Sequence, residues 1–505
     1  MKVHRRATLF YKPPLWRRPS SLYRLFGLAI LILGGIWLTT HLVSGAVRNP
    51  FDPTPTSTRV ADSWIEEGQA YFAAGRLDDP SGDNDAIFAY QQALAIDPNN
   101  AAVWAELARI QAYSSRLLSN DADRLTRLGE AETSIDKAVG LAPENSQVLA
   151  IQAFVLDWNA DPALDSLRTG KPFASDYLFE AEQVASNALS LDDKNALALA
   201  YYSEILVDGQ KWDQASQYIP LAVQLGGNEM DVHRVYGYYL ESIMEYQQAI
   251  GEYQKALAIN PNLTFLYISI GQNYRTLGFK EPIGPQQDEY YALARAAFGK
   301  AVAINEQLKI KDPLPYVAIA KVYAQQGQFY AAALNAEQAV ALNPTNADLY
   351  GQLGNIYKRG RNFETSIIAL KCAVEGCTPS ESCDARNGCA VGDPGVQVRP
   401  LTLNPNSATY YLDYGSVLSA FAPVKPTYCP TVNRVLGLLV QTYPDNDVIV
   451  RNARVGLDIC REVAAGQTQV PEAGLTPGAS GNPTATGTPT LTPTPVLTPT
   501  PTRGP

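Results

Sequence analysis

One pattern recurs in this chain at a fixed interval. Three segments carry it most clearly: YQQALAIDPNNAAVWAEL from Tyr90, YQKALAINPNLTFLYISIG from Tyr253 and AEQAVALNPTNADLYGQLG from Ala336. In each segment, Ala follows the first residue by three positions and Pro follows that Ala by five, before a new stripe of apolar residues at helical spacing. Self-similarity of this kind indicates a stack of repeated helical units rather than several unrelated domains.

The pattern resembles the tetratricopeptide repeat (TPR), a hairpin of two antiparallel helices, A and B, in about 34 residues. Nine such units fit roughly residues 61–463, with large residues at positions 4, 11 and 24, small ones at 8, 20 and 27, and proline at 32. The clearest marks are, in the first repeat, Trp64, Gly68, Tyr71, Ala86, Tyr90, Ala93 and Pro98; in the fifth, Tyr236, Gly237, Leu240, Ala249, Tyr253, Ala256 and Pro261; in the seventh, Tyr316, Ala320, Tyr323, Ala332, Ala339 and Pro344; and in a weaker ninth, Tyr411, Tyr414, Gly415, Leu418, Leu436, Leu439 and Pro444.

Packing physics accounts for these marks. Small residues let the two helix axes approach closely, large residues fill the adjoining holes, and proline ends helix B. A single hairpin cannot bury its apolar face, so stacked hairpins share one core. The resemblance implies an all-α fold, a right-handed α-solenoid of about nine hairpins. We assign TPR repeats 1–8 to 61–378, a Cys-containing insertion to 379–407, and a degenerate repeat 9 with a capping helix to 408–463.

Extra residues lie between helices A and B in repeats one, two, three, six and nine. All of them enter at the same turn, so they project along one edge of the solenoid. The segments SNDADRLTRLGEAETSIDKAV and PQQDEYYALARAAFGKAV have helical periodicity throughout, which predicts lengthened B helices rather than loops. Two interpretations remain open, a binding edge and neutral drift at a tolerant turn.

The N-terminus combines positive charge with a long apolar stretch. Residues 1–24 hold seven Lys or Arg and no acid, whereas residues 25–47 hold no charged residue. A helix of that length spans roughly 34 Å, enough for a bilayer core of about 30 Å, and the basic side faces the cytoplasm. We therefore predict a cytoplasmic N-terminus, a single-pass transmembrane signal-anchor helix over 25–47, a linker over 48–60 and an extracytoplasmic body. The alternative is a signal peptide cleaved near Ser44–Ala46.

Charge is distributed unevenly along the chain. The net charge is −10, from 40 Lys and Arg against 50 Asp and Glu. Without the seven N-terminal basic residues, 33 basic residues stand against 50 acidic ones, so the remainder carries −17. A body with this much negative charge argues against nucleic acid as a partner, because a protein needs a basic face to bind nucleic acid. Only His233 of the three histidines lies in the body, which nearly excludes multi-histidine metal sites and most histidine-based triads.

The six cysteines fit an oxidising, extracytoplasmic compartment. Cys429 and Cys460 lie at similar distances on either side of the turn at 444–446, so an antiparallel hairpin would bring them together as a disulfide. Closing that loop of about 31 residues would contribute about 3–4 kcal/mol. The other four lack the CxxC pairs of zinc ribbons, which favours two disulfides over zinc. Three pairings are possible and Cys372 could instead be a buried free thiol; the four are Cys372, Cys377, Cys383 and Cys389.

Residues 464–505 differ in composition from the repeats. From residue 466 on they are rich in Thr and Pro, with one acidic and one basic residue. Such a segment has too few large apolar residues to fold, so we predict a disordered Thr/Pro-rich tail. An O-glycosylated spacer and an unmodified tail both remain open.

The TPR resemblance also implies a concave groove lined by helix A, which holds a peptide or another protein. At the groove positions, aromatic residues gather in repeats two, three and five and basic residues in repeats five to eight, which favours an acidic or C-terminal carboxylate segment as ligand. Ordinary solvated helix faces are the alternative. The KxxxN and KxxxR pair of the chaperone-tail clamp is missing. The candidate groove residues are Arg109, Tyr113, Phe154, Trp158, Glu204, Arg234, Tyr238, Gln272, Arg275, Lys321, Asn355, Lys358 and Arg359.

These features favour an interaction scaffold over an enzyme. Outside the repeats, the apolar N-terminal segment and the tail, the longest unassigned stretch is about 27 residues, too short for a catalytic domain. We therefore expect no catalytic residue, cofactor or metal site. The prediction is a membrane-tethered extracytoplasmic TPR scaffold for protein–protein interactions in envelope assembly or secretion. The alternatives are a cell-wall polysaccharide-binding protein and an accessory module of an envelope enzyme. Most of the 28 tyrosines occupy packing positions, which favours core over a sugar platform.

Overall fold

The computed structural model describes residues 22–43, 59–79, 84–118, 121–170, 176–389 and 392–466. The chain divides into two compact units, Met1–Arg59 and Val60–Pro505.

The first unit contains helix α1 (Leu22–Val43), whose side chains from Leu22 to Trp37 are exposed. No helix in the described ranges is both long and apolar enough to cross a bilayer. The transmembrane helix predicted over 25–47 is therefore not supported. The observed helix begins three residues earlier and ends at Val43, and residues 44–47 lie outside the described part of the chain.

The second unit is a succession of helical hairpins in which the described residues form nine A and B pairs. The A helices are α2 (Ala61–Ala73), α4 (Ala101–Ser114), α6 (Ser146–Asn159), α9 (Ala196–Asp208), α11 (Met230–Ser242), α13 (Thr264–Lys280), α15 (Leu314–Gln325), α17 (Ala347–Arg359) and α20 (Ala408–Phe421). The B helices are α3 (Ala86–Ile96), α5 (Asp121–Leu141), α8 (Tyr177–Leu191), α10 (Trp212–Gly226), α12 (Tyr246–Ile259), α14 (Pro285–Leu308), α16 (Phe329–Leu342), α18 (Phe363–Val374) and α21 (Cys429–Thr442).

The remaining helices lie in insertions or at the end of the solenoid. They are α7 (Pro162–Thr169) and α19 (Pro379–Asp384) in insertions, and the terminal helix α22 (Asp447–Ala464). The lengthened B helices predicted in repeats two and six are confirmed as α5 and α14. The tail predicted over 464–505 lies outside the described residues from residue 467 onward.

The turns from each B helix to the next A helix follow from local chemistry. In repeats 1, 2 and 7, helix B ends two residues before a proline, which cannot continue the backbone hydrogen bonding. An asparagine then caps the next helix: the side chains of Asn100, Asn145 and Asn346 each accept a hydrogen bond from a backbone N–H in the first turn. The sequence therefore dictates both the end of one helix and the start of the next.

Within a hairpin, the small residues at position 8 are sites of close approach. A Cβ atom at Gly237 would lie 2.8 Å from the Tyr253 ring, and one at Gly271 would lie 2.4 Å from the Phe298 ring. Both rings are buried. The large residue of helix B therefore packs on the backbone of helix A, as the spacing predicts.

The hairpins stack so that each B helix also contacts the following A helix. One buried apolar cluster runs through repeats 1–6, from Phe72 to Ala297, and a second runs through repeats 7–9, from Val317 to Cys460. A smaller cluster around Phe298 and Val322 lies between repeats 6 and 7. The solenoid thus has two main cores that meet near the sixth repeat.

Candidate binding groove

The predicted groove residues of repeats 2–5 face inward, but several of them are not open to solvent. Tyr113, Phe154, Trp158 and Arg234 are buried, and Arg109 is half-buried. In this structure other repeats cover these side chains, so they do not line an open groove. The contacts that cover them define a cluster that we call the inner lock.

Aromatic stacking forms the apolar part of the inner lock. The ring of Tyr113, in repeat 2, stacks on that of Phe265, in repeat 6, with centroids 5.3 Å apart and planes 5° from parallel. The rings of Phe154 and Trp158 pack against Tyr113 at 5.1 and 5.3 Å. Helices distant in sequence thus share one aromatic core across the concave side.

A buried carboxylate organises the polar part of the inner lock. Asp231, at the start of helix α11, accepts hydrogen bonds from the hydroxyl groups of Tyr113 and Tyr201, and Arg109 donates to it over 2.7 Å. Burial would raise the pKa of this carboxyl, but the neighbouring guanidinium groups and hydroxyl donors hold the pKa of Asp231 below its usual value. Asp231 is therefore a permanent anion that joins repeats 2, 4 and 5.

Arg234 extends the same network. Its guanidinium group donates to both carboxylate oxygens of Glu204, over 2.8 and 2.6 Å, and to the Tyr113 hydroxyl over 2.9 Å. Trp158 Nε1 donates to Glu204 over 3.3 Å. Two donors on one carboxylate make a geometrically specific ion pair. These polar groups therefore satisfy each other and leave no reason to expect an external ligand among them.

A backbone contact joins repeat 1 to the turn between repeats 5 and 6. Gly75, in the turn between the helices of repeat 1, lies against Asn262, between repeats 5 and 6. A Cβ atom at Gly75 would come within 2.4 Å of the Asn262 carbonyl oxygen, and the φ of Gly75 is +75°. Glycine fits here because this position tolerates neither a side chain nor a right-handed backbone.

Sequence reasoning did not single out Asp231, Tyr201 or Phe265. The groove positions of helix A are 2, 5, 9, 12 and 13 of each repeat, and Asp231 and Phe265 both occupy position 2, so this spacing rule includes them. Tyr238, which the rule did select, is half-buried and donates to Asp208 over 2.5 Å. What was missing was a signal that the concave side of these repeats is filled.

Repeats 6–8 place the other candidate residues in a different setting. Lys358 pairs with Asp413, which also accepts a hydrogen bond from Asn355 over 2.6 Å. Arg359 donates to the Ala324 carbonyl over 3.0 Å and lies over the Phe329 ring. Each of these polar groups therefore already has a partner within the chain.

Arg275 and Lys321 form no ion pair or side-chain hydrogen bond among the described residues. The Lys321 side chain is exposed, although protein atoms crowd around it. Desolvation by this surrounding wall and the positive charge of Arg275 lower the pKa of Lys321, and the Asp348 carboxylate opposes the shift only in part. Burial also lowers the pKa of Arg275. Two cations thus lie near each other, without a counterion in contact, on the inward-facing helices of repeats 6 and 7.

All six cysteines form disulfides. Cys429 pairs with Cys460, as predicted, and joins α21 to α22. The clustered cysteines pair in sequence order, which resolves the three alternatives and excludes the free thiol considered for Cys372; the bonds are Cys372–Cys377 and Cys383–Cys389.

The Cys-containing insertion packs onto repeats 7 and 8. Asn387 donates to Tyr357 over 2.9 Å and to Glu337 over 2.7 Å. The insertion therefore braces the C-terminal repeats.

Among the residues that the structure describes, no cluster of three or more His, Cys, Asp or Glu side chains is arranged to hold a metal ion.

Comparison with known proteins agrees with this architecture. The family model of the tetratricopeptide repeat matches residues 315–346, the hairpin of α15 and α16. The match therefore identifies a tetratricopeptide repeat at this hairpin. At the level of sequence the chain matches no curated protein.

Several solved structures are similar in part. The human IFIT1 dimer with m7Gppp-AAAA has 14% identity and a TM-score of 0.49, over 80% of this chain and 81% of that one. The APC/C hetero-tetramer Cut9–Hcn1 has 14% identity and a TM-score of 0.43, over 65% of this chain and about half (54%) of that one. PilF of Pseudomonas aeruginosa has 16% identity and a TM-score of 0.33, over 45% and 92%.

Proposed function

We propose that this protein is an interaction scaffold and that its inward face at repeats 6 and 7 binds an acidic segment of a partner protein. The observation that carries the proposal is the contrast among the inward-facing cations. Arg109, Arg234 and Lys358 each contact a carboxylate of this chain, whereas Arg275 and Lys321 contact none.

The electrostatics favour an anionic ligand at this position. Desolvation and the nearby positive charge of Arg275 both lower the pKa of Lys321, so protonation of this lysine carries a free-energy cost here. A carboxylate placed between them would relieve the repulsion and make charge-assisted hydrogen bonds with both.

Cross-linking in intact cells tests the proposal. We expect the charge-reversed variant Arg275→Glu with Lys321→Glu to lose partners that the wild-type chain captures, and the remaining binding to weaken as ionic strength rises. The matched control is Arg451→Glu with Arg454→Glu, which reverses two exposed charges on the terminal helix α22. Recovery of the same partners from both variants would exclude this face as the binding site.

We further propose that the solenoid acts outside the cytoplasm, in envelope assembly or secretion. The support is the pairing of all six cysteines in the structure, together with the basic and then apolar N-terminal sequence. Protease added to whole cells should digest the repeats. Full protection of the repeats until the cells are lysed would contradict this location.

We also propose that the chain has no catalytic role. The described residues of the second unit are almost entirely taken up by the repeats, and many tyrosines that could otherwise form a sugar-binding surface are internal. Tyr90, Tyr253 and Tyr350, for example, are buried between helices. These features favour protein partners over polysaccharide.

A further inference from the structure

The three disulfides differ in how far solvent reaches them. Both cysteines of the Cys383–Cys389 bond, in the Cys-containing insertion, are half-buried. The other two bonds join buried cysteines, exposed by 9% or less: Cys372–Cys377 and Cys429–Cys460. A thiolate that attacks a disulfide must reach one of its sulfur atoms, so access helps to decide which bond reacts. In the folded chain, an external thiol therefore reaches the Cys383–Cys389 bond most readily.

A guanidinium group contacts this accessible bond. Arg386 Nη2 lies 2.6 Å from Cys389 Sγ and 3.7 Å from Cys383 Sγ. The side chain of Arg386 is only 6% exposed, and a surrounding of low dielectric constant strengthens its electrostatic interactions. A cation beside a cysteine sulfur stabilises the thiolate form. Arg386 is thus placed to stabilise the thiolate that forms at Cys389 when the bond is reduced.

The surrounding loop holds this guanidinium group in position. Nε of Arg386 donates to the Ser382 carbonyl oxygen over 3.1 Å, and Nη1 donates to the Asp393 carboxylate over 3.1 Å. The Asp393 side chain is 33% exposed, so solvent screens its charge and it offsets the charge of Arg386 only in part. These two contacts fix the guanidinium plane and leave Nη2 directed at the sulfur atoms.

We propose that the Cys383–Cys389 bond exchanges with an external dithiol and that Cys389 is the leaving group. One thiolate of the dithiol attacks Cys383 Sγ, the disulfide bond breaks, and its electron pair moves to Cys389 Sγ beside Arg386. The second thiol of the dithiol loses its proton and attacks its own partner sulfur in the mixed disulfide, so that Cys383 leaves as a thiolate. Two electrons thus pass from the dithiol, which ends as a disulfide, to the two cysteines. The protons that the dithiol releases go to the cysteines or to water.

The loop that this bond closes contacts the repeats. Asn387, inside the loop, donates to Glu337 of α16 and to the Tyr357 hydroxyl of α17. Reduction removes the covalent link between the ends of the loop at Cys383 and Cys389. A redox change at this bond therefore acts directly on the contact between the insertion and repeats 7 and 8. This inference does not depend on the partner site proposed above.

Stepwise reduction of the folded, full-length protein tests which bond reacts first. The reductant is dithiothreitol at concentrations that leave the circular dichroism spectrum unchanged, and free thiols are alkylated with N-ethylmaleimide and located by mass spectrometry. We expect Cys383 and Cys389 to be alkylated at least about tenfold faster than the other four cysteines. Simultaneous alkylation of all six, or earlier alkylation of another pair, would overturn the proposal.

A monothiol tests which sulfur leaves. Glutathione forms a mixed disulfide with the attacked cysteine and frees the other, which N-ethylmaleimide then alkylates. We expect glutathione on Cys383 and N-ethylmaleimide on Cys389, because the thiolate beside Arg386 is the better leaving group. The reverse distribution would contradict the assigned role of Arg386.

Two variants with opposite expected effects separate electrostatics from unfolding. Arg386→Gln removes the cation and should slow reduction of the Cys383–Cys389 bond by about tenfold, and Arg386→Lys should restore part of the rate. Asp393→Asn removes the opposing charge and should speed reduction by about threefold, while its amide oxygen can still accept the hydrogen bond from the Gly395 N–H. Local unfolding would instead expose the bond and speed reduction in both variants. Reduction of Arg386→Gln at or above the wild-type rate would overturn the proposal.

Discussion

Tyr113 in repeat 2 and Lys321 in repeat 7 both lie on inward-facing A helices, yet their surroundings differ. Tyr113 is enclosed by aromatic rings and a carboxylate supplied by other repeats, whereas the side chain of Lys321 reaches solvent. The first six repeats therefore use their concave side to hold themselves together. The later repeats leave part of theirs available, and their stability is supplemented by three disulfides.

The difference shows that one hairpin design can serve two purposes. Where aromatic residues and paired charged residues occupy the inward positions, the repeats form a closed turn of the solenoid whose polar groups bond to one another. Unpaired cations at the same positions leave a site that can bind an anion. Inward position alone does not therefore make a residue a ligand contact.

The largest expected effect comes from breaking the inner lock. Asp231→Ala should lower the free energy of unfolding by about 3–5 kcal/mol, because the buried hydroxyl groups of Tyr113 and Tyr201 lose their acceptor and Arg109 keeps only Glu106 as an ion-pair partner. Urea unfolding followed by circular dichroism measures this loss. The control Asp458→Ala removes an exposed pair with Arg461 and should cost less than about 1 kcal/mol. Similar losses in both variants would show that the inner lock contributes little.

Removal of the terminal disulfide probes the other region. Cys429→Ser with Cys460→Ser opens a loop with a sequence separation of 31 and should cost about 3–4 kcal/mol. Hydrogen exchange should quicken in α20–α22 and remain unchanged in α4–α6. The pair Cys372→Ser with Cys377→Ser opens a much shorter loop and should cost about 2 kcal/mol. Equal destabilisation of repeats 2 and 9 would mean that the two regions unfold as one.

The junction between the two regions should respond to pH. Burial raises the pKa of Asp312, between α14 and α15, to about 7 from 3.8. Between those values the folded chain keeps a proton that the unfolded chain has released, so stability is full below about pH 4 and falls by about 2–4 kcal/mol as pH rises to 7. Asp312→Asn should flatten this slope in urea titrations at several pH values. An unchanged slope would assign the pH dependence to other groups.

A smaller effect is expected inside repeat 6, where the two regions meet. Gly271→Leu should destabilise the chain by about 1–3 kcal/mol, because the added side chain would meet the buried Phe298 ring. Gly299→Leu, where a Cβ atom meets nothing within 4 Å, should instead stabilise helix α14 by up to about 1 kcal/mol. Thermal unfolding of both variants decides the matter: if both were equally destabilised, close packing would not be the reason for Gly271.

Local interactions made much of the fold predictable. Gly237 and Gly271 predict close helix contacts, Asn100 and Asn145 mark helix starts, and the antiparallel terminal hairpin brings Cys429 to Cys460. Each of these features depends on residues within one or two hairpins, whose geometry the repeat pattern specifies.

Closure of the concave side was not predictable in this way. It depends on small rotations between successive repeats that accumulate over five hairpins until Tyr113 reaches Phe265. The spacing of residues within one repeat does not determine this accumulated rotation. The sequence shows a cluster of aromatic residues at inward positions, but such a cluster is equally compatible with a ligand site and with a buried core.

The contact between Gly75 and Asn262 has a consequence for how such a chain can change over generations. A tandem duplication or deletion of one hairpin within the closed turn would bring the wrong residues opposite Gly75 and Tyr113, so its copy number is fixed by geometry. Beyond repeat 6 the contacts described above join neighbouring repeats, such as Lys358 with Asp413, and hairpins there can be gained or lost at lower cost. We expect related chains to vary in length at their C-terminal end.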